Sequence, residues 1–286
     1  MSDLIRDMFQ LVRPEDIRVL QSDDETGAPK QKMGFFTDTT LCIGCKACEV
    51  ACKQWNQLPS DGFNFTGHSY DNTQHLSEST WRHVAFVEQV DATRDRTGSR
   101  WLMMSDVCKH CEQAPCQEAC PTGSIIYNEF GDVYVQPDIC NGCGYCVVAC
   151  PFGVLGRSEE DGHVHKCTLC YDRQRDGMTP ACAKACPTDS IQFGPLDLLR
   201  EKAQERVKTL QERGDTQAYL YGDEAIGDYS PLQAFFLLTD HPNTYNLPEA
   251  PKRPAKGMTA RYLFSLATGA ALTALAALFF ADGERG

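Results

Sequence analysis

Positive charge is scarce in this chain: 27 lysines and arginines stand against 39 aspartates and glutamates, a net charge of −12 over 286 residues. A surface of that sign repels a phosphate backbone, so nucleic acid is not expected as a partner. Residues 1–34 lack the apolar core of a secretory signal. Their polar run, acidic at Asp23, Asp24 and Glu25, is expected to form an extended N-terminal arm that wraps a partner. No segment carries a catalytic constellation, so the chain is expected to be a non-catalytic subunit. Nor is any cysteine left over, because all sixteen fall into four groups of four.

The groups are Cys42, Cys45, Cys48 and Cys52; Cys108, Cys111, Cys116 and Cys120; Cys140, Cys143, Cys146 and Cys150; and Cys167, Cys170, Cys182 and Cys186. Each opens with Cys-x-x-Cys and closes with Cys-x-x-x-Cys, and a proline follows three of them at Pro121, Pro151 and Pro187. That run resembles the ligand pattern of bacterial two-cluster ferredoxins, in which three cysteines bind one [4Fe-4S] cube and the fourth reaches the other. Four runs imply four [4Fe-4S] clusters.

Two other uses of cysteine fit less well. Disulfide frameworks serve small secreted domains, whereas 286 residues at 42% hydrophobic content supply a core without staples. Zinc sites use two well-separated Cys-x-x-Cys pairs, whereas Cys42 to Cys48 and Cys140 to Cys146 give three thiolates at a repeat of three. Three thiolates so close together, with a fourth displaced, suit the corners of a cube. Glycines between ligands, at Gly44, Gly142 and Gly144, let the backbone bend tightly and offer N–H groups to sulfur. Each oxidised cube with four thiolates carries about −2, and Lys46, Lys53, Lys109, Lys166 and Lys184 beside the ligands are candidates to offset it. The seven histidines, His110, His163 and His165 among them, are expected to support the ligands or lie at the surface, since cysteine supplies sixteen ligands already.

Spacing pairs the runs. Between Cys120 and Cys140 the sequence reads as strand, turn at Asn128 to Gly131, and strand, which makes one complete ferredoxin unit of the second and third runs. Cys108, Cys111 and Cys116 are then expected to share a cube with Cys150, and Cys140, Cys143 and Cys146 with Cys120. By elimination Cys42, Cys45 and Cys48 go with Cys186, and Cys167, Cys170 and Cys182 with Cys52. The wording Cys-Pro-Thr-Gly-Ser-Ile after Cys120 recurs as Cys-Pro-Thr-Asp-Ser-Ile after Cys186, the mark of an internal duplication.

The expected fold is α+β: two nested bacterial-ferredoxin-like units with added strands and helices, and one C-terminal transmembrane helix. The first unit is discontinuous, over 35–105 and 155–195, and the second is inserted at 106–154. Residues 61–79 are rich in turn formers, and Trp81 to Val90 and Ser99 to Val107 alternate as strands joined around Asp95 to Gly98. Residues 196–241 hold covering elements: a helix over 196–213 with Leu196, Leu199, Ala203, Val207 and Leu210 on one face, then strands near Ala218–Tyr221 and Gln233–Leu238. A proline-rich linker follows over 242–258.

A transmembrane helix is expected over 259–282, because the twenty residues from Tyr262 to Ala281 carry no charge, about the length that crosses a bilayer. Ser265, Gly269, Thr273 and Ala277 form a smooth stripe on which a partner's helix could pack closely. Lys252, Arg253, Lys256 and Arg261 precede the span and only Arg285 follows it, which by the positive-inside rule places the cysteine-rich body in the cytoplasm.

The runs Cys42-Ile-Gly-Cys-Lys-Ala-Cys-Glu-Val-Ala-Cys-Lys-Gln-Trp-Asn56, Cys108-Lys-His-Cys-Glu-Gln-Ala-Pro-Cys116, Cys140-Asn-Gly-Cys-Gly-Tyr-Cys-Val-Val-Ala-Cys-Pro-Phe152, Lys166-Cys-Thr-Leu-Cys-Tyr-Asp-Arg173 and Pro180-Ala-Cys-Ala-Lys-Ala-Cys-Pro187 resemble the iron–sulfur (beta) subunits of respiratory formate dehydrogenases. More broadly they resemble electron-transfer subunits of the molybdopterin oxidoreductase superfamily. Related nitrate reductase subunits replace one ligand, and the soluble dimethyl sulfoxide reductase subunit lacks a terminal membrane helix. The resemblance implies electron transfer through four cubes from a catalytic (alpha) subunit, holding a molybdenum or tungsten pterin, to a membrane cytochrome b (gamma) subunit and quinone in the inner membrane. A hydrogenase or a sulfur-compound reductase as the catalytic partner is the alternative. In that family the catalytic partner bears the twin-arginine export signal, so the resemblance places the body in the periplasm, against the positive-inside reading. The side stays open, leaning to the family.

Overall fold

The computed structural model describes residues 31–63, 67, 70, 73–89 and 99–283. The expected arm, as far as residue 30, and the connection at Asp95 to Gly98 lie outside them. Met33 and Gly34, assigned to the arm from sequence, instead begin the first strand.

That strand, β1 (Met33–Asp38), is buried along its whole length. Alternate side chains of a strand point to opposite faces. Phe35 accordingly meets Phe193 edge-on at 5.7 Å on the cysteine-rich side, while Phe36 stacks on Phe235 at 5.4 Å on the other. β1 pairs antiparallel with β8 (Ile191–Pro195) and parallel with β10 (Ala234–Leu238), which pairs antiparallel with β9 (Tyr219–Tyr221). The sheet order is β8-β1-β10-β9.

Helix α6 (Leu196–Glu212) covers one face, within a residue of the expected span. Leu196, Leu199, Ala203 and Leu210 form its buried stripe against Phe36, Phe235 and Leu237. The opposite face carries the cysteine-rich half. There β2 (Arg82–Gln89) and β3 (Arg100–Val107) form an antiparallel ribbon, and β4 (Ile125–Tyr127) and β5 (Val133–Val135) form a hairpin. The hairpin turn is tied by Asn128, whose Oδ1 accepts from the amides of Phe130 (3.1 Å) and Asp132 (2.8 Å). A further two-residue ribbon, β6 (Gly156–Arg157) with β7 (Val164–His165), is not signalled by the sequence pattern.

Short helices are built into the cysteine runs: α1 (Ala47–Asn56), α2 (Pro115–Glu118), α3 (Tyr145–Ala149), α4 (Tyr171–Arg175) and α5 (Ala181–Lys184). The stretch read as a linker is partly folded, with a 3-10 turn at Pro242–Tyr245 and buried Tyr245 and Leu247. Contacts divide the chain after Lys252 into two compact units. The second holds α7 (Met258–Gly283), whose window Ala260–Ala277, of mean hydropathy 1.2, is long and apolar enough to cross a membrane.

Candidate metal centres

Three of the four ligand runs share one local device. Lys46 before α1 (φ 61°), Gly144 before α3 (φ 75°) and Cys170 before α4 (φ 50°) all take the left-handed backbone. That reversal folds a Cys-x-x-Cys loop back over the start of a helix, so loop and helix thiols face one space. Glycine is obligatory at Gly142, where φ is +66° and an added Cβ would lie 2.0 Å from the Gly162 carbonyl oxygen.

Cys42, Cys45, Cys48 and Cys186 line a first cavity, floored by Val84, Ser105 and Ile191. The β1–β8 pairing explains it. With Thr37 opposite Ile191, Cys42 leaves one strand at the end where Cys186 approaches the other. Cys52, Cys167, Cys170 and Cys182 line a second cavity with Phe35, Arg82 and Leu169. Cys120, Cys140, Cys143 and Cys146 line another, gathered by the β4–β5 hairpin, whose Ile125–Val135 pair sits beside them. Cys108, Cys111, Cys116 and Cys150 form the remaining tetrad. Burial pushes the Cys111 thiol well up, and the neighbouring thiols of Cys108, Cys150 and Cys116 add to it.

Neighbouring thiols link the tetrads one to the next, in a row. Cys182 of the second bears on Cys48 of the first, Cys108 bears on Cys167, and Cys146 bears on Cys116. Among all sixteen cysteines only Cys45 and Cys143 are exposed, one in the tetrad at each end of the row.

The cavities fit a cube better than a single ion. All sixteen thiols are free of disulfides. A tetrahedral zinc would draw its thiolates to about 3.8 Å of one another. Among the described residues no group of three or more Cys, His, Asp or Glu converges that way, whereas the cavities offer four thiols around open space. Burial pushes Cys48 and Cys116 up to about 12 and Cys146 to about 11. Cys120 differs. Against some desolvation, hydrogen bonds from Ser124, Thr122 and backbone amides bring it down to about 7.

The candidate lysines separate into two kinds. Lys109 and Lys166 are buried: Lys109 pairs with Asp106 and donates to the Val107 carbonyl at 2.8 Å, and Lys166 donates to the Val133 and Cys167 carbonyls at 2.5 and 2.8 Å. Lys53 turns away to Asp61, Pro59 and Ser79, Lys46 lies over the Phe86 ring, and Lys184 is exposed. His163 hydrogen-bonds the Cys140 carbonyl at 2.7 Å and so supports a ligand run, whereas His110 is fully buried with neither ring nitrogen hydrogen-bonded among the described residues. Sequence reasoning missed Arg82. It is buried, and its Nη2 lies 3.3 Å from Cys182 Sγ.

Two family models, each described as a 4Fe-4S dicluster domain, match residues 41–124 and 99–196. The nitrate-inducible formate dehydrogenase iron–sulfur subunit of Escherichia coli is 40% identical over 225 residues, 78% of this chain and 74% of that protein. The chain belongs to the formate dehydrogenase iron–sulfur subunit family. The family's Haemophilus influenzae subunit is 38% identical over 251 residues, 85% of this chain and 79% of its own. The B subunit of the E. coli anaerobic dimethyl sulfoxide reductase is 37% identical over 170 residues, 76% of that protein but only 59% of this chain. Membership in the formate dehydrogenase family accounts for ferredoxin-type cluster domains here.

Proposed function

We propose that this chain is the electron-transfer subunit of a membrane-bound formate dehydrogenase. Cys42, Cys45, Cys48 and Cys186 would hold one [4Fe-4S] cube, Cys52, Cys167, Cys170 and Cys182 a second, Cys108, Cys111, Cys116 and Cys150 a third, and Cys120, Cys140, Cys143 and Cys146 a fourth. A bound cube supplies reversible one-electron redox chemistry. The observation that carries the reading is the row of four all-cysteine tetrads with an exposed thiol, Cys45 or Cys143, in each end tetrad.

The protein's own part is to hold, space and seal. Phe35, Val107 and Leu169 exclude water from the second cavity, and Val84 and Ile191 do so beneath the first. The pairing of β1 with β8 around the β4–β5 hairpin supports the nested arrangement, a unit over 106–154 inserted into one over 35–105 and 155–195.

One exposed end suits a molybdopterin-containing catalytic subunit and the other a membrane cytochrome b that serves quinone. Helix α7 would span the inner membrane once, with the body on the periplasmic side as in the family. Protease treatment of intact spheroplasts checks that side, since a cytoplasmic body would be protected.

The dimethyl sulfoxide reductase relative favours a second reading, the same row serving a sulfur-compound reductase. Formate dehydrogenase relatives extend over more of the chain, up to 85% of it. Dye reduction by the complex purified through this chain decides between them. Formate is the expected donor. A molybdopterin-loaded complex inert to formate overturns the assignment.

A further inference from the structure

Beside the first and second cavities lies a buried cation that has no carboxylate ion pair among the described residues. Arg82 is 1% exposed, and its guanidinium carbon sits 4.7 Å from the centre of the Phe35 ring. Its Nη2 lies 3.3 Å from Cys182 Sγ of the second tetrad. Its Nη1 donates to the Ser105 carbonyl oxygen at 3.2 Å. Ser105 in turn lines the first cavity, with its hydroxyl 3.3 Å from Cys48 Sγ. The contacts Cys182–Arg82 and Arg82–Ser105–Cys48, through the Ser105 carbonyl and hydroxyl in turn, therefore link the two tetrads.

A buried charge without a counter-ion is costly, and Arg82 has no ion pair with a carboxylate among the described residues. The thiolates on either side are what balances it. Each cube with its thiolates carries about −2, so the two tetrads that flank Arg82 supply the missing negative charge when loaded. Adding an electron to either side raises that negative charge, and a fixed cation nearby favours the reduced form.

We infer that Arg82, braced by Ser105, is a potential-setting residue shared by the first and second cubes: its fixed charge holds the reduction potentials of both above the values they would otherwise take. This rests on the reading of the tetrads as cube sites, which iron and sulfide content tests separately. Buried guanidinium is suited to the task because it stays charged at every working pH and offers several donors in one plane.

The test is a redox titration of the full-length, cluster-loaded chain followed by electron paramagnetic resonance. Signals are first assigned by Cys45→Ser for the first cube and Cys170→Ser for the second. Arg82→Gln is expected to lower the potentials of the first and second cubes and leave the third and fourth in place. Arg82→Lys, which keeps the charge, is expected to lower them less. Ser105→Ala removes the hydroxyl donor to Cys48 but no charge, and is expected to lower the first cube alone. Unmoved potentials in Arg82→Gln at full iron content overturn the inference, as do equal shifts of all four cubes. If Arg82→Gln fails to hold its clusters, Arg82→Lys decides: retention of full iron supports a requirement for charge, and equal loss shows that only shape matters and overturns it.

Discussion

Cys48 and Cys52 lie one turn apart on α1, yet they open onto different cavities. Cys48 faces Cys42, Cys45 and Cys186, and Cys52 faces Cys167, Cys170 and Cys182. One helix therefore contributes a wall to each of two tetrads.

Single ligand replacements should sort by cavity rather than by position in sequence. Cys42→Ser and Cys186→Ser should disturb the same cluster signal in electron paramagnetic resonance, although 144 residues separate them. Cys48→Ser and Cys52→Ser should disturb different ones. Different signals for Cys42 and Cys186 would break the nested pairing.

Gly142→Ala should impair the end tetrad that holds Cys140 and Cys143. Its left-handed backbone alone costs a non-glycine residue roughly 1–3 kcal/mol, and the new Cβ would collide with the Gly162 carbonyl. Gly62, also left-handed, has open space around it, so Gly62→Ala should leave cluster content unchanged. Iron per chain in the two variants checks this.

Leu199→Ala should destabilise the sheet without touching the cysteines. Leu199 is buried between α6 and the face of β1 that carries Phe36, so truncation should cost about 2–4 kcal/mol. Thermal unfolding should shift downward while the spectrum of the loaded protein stays the same.

Strong acid should loosen the segment around Asp61. Burial works against ionisation there, but hydrogen bonds from Lys53, Thr73 and Thr80 outweigh it and hold the carboxyl below its ordinary value. A lowered folded-state value means that the contribution is present above the ordinary carboxylate range and is lost as pH falls through the folded one. Asp61→Asn should abolish that dependence, read as amide exchange over residues 58–63 against pH.

The sequence pattern made the local features legible. The 3.6-residue periodicity from Leu196 to Leu210 located α6 to within a residue, and the Asn128 to Gly131 turn located the β4–β5 hairpin. The parallel pairing of β1 with β10 joins segments about 200 residues apart, and no local pattern carries it. The β6–β7 ribbon is two residues long on each side, too short for a period to show. Arg82 was hidden for another reason. An arginine at the start of an alternating strand reads as solvent-facing, and only the approach of Cys182, a hundred residues later, explains why it is buried. Adjacency to a ligand, conversely, overstated Lys53, whose ammonium is satisfied by Asp61 and the Pro59 and Ser79 carbonyls.

Metal and sulfide content of the anaerobically purified full-length chain tests the four-cube row most directly. About sixteen irons and sixteen acid-labile sulfides per chain are expected, four of each from every tetrad. Zinc in place of iron, with no sulfide, would contradict it.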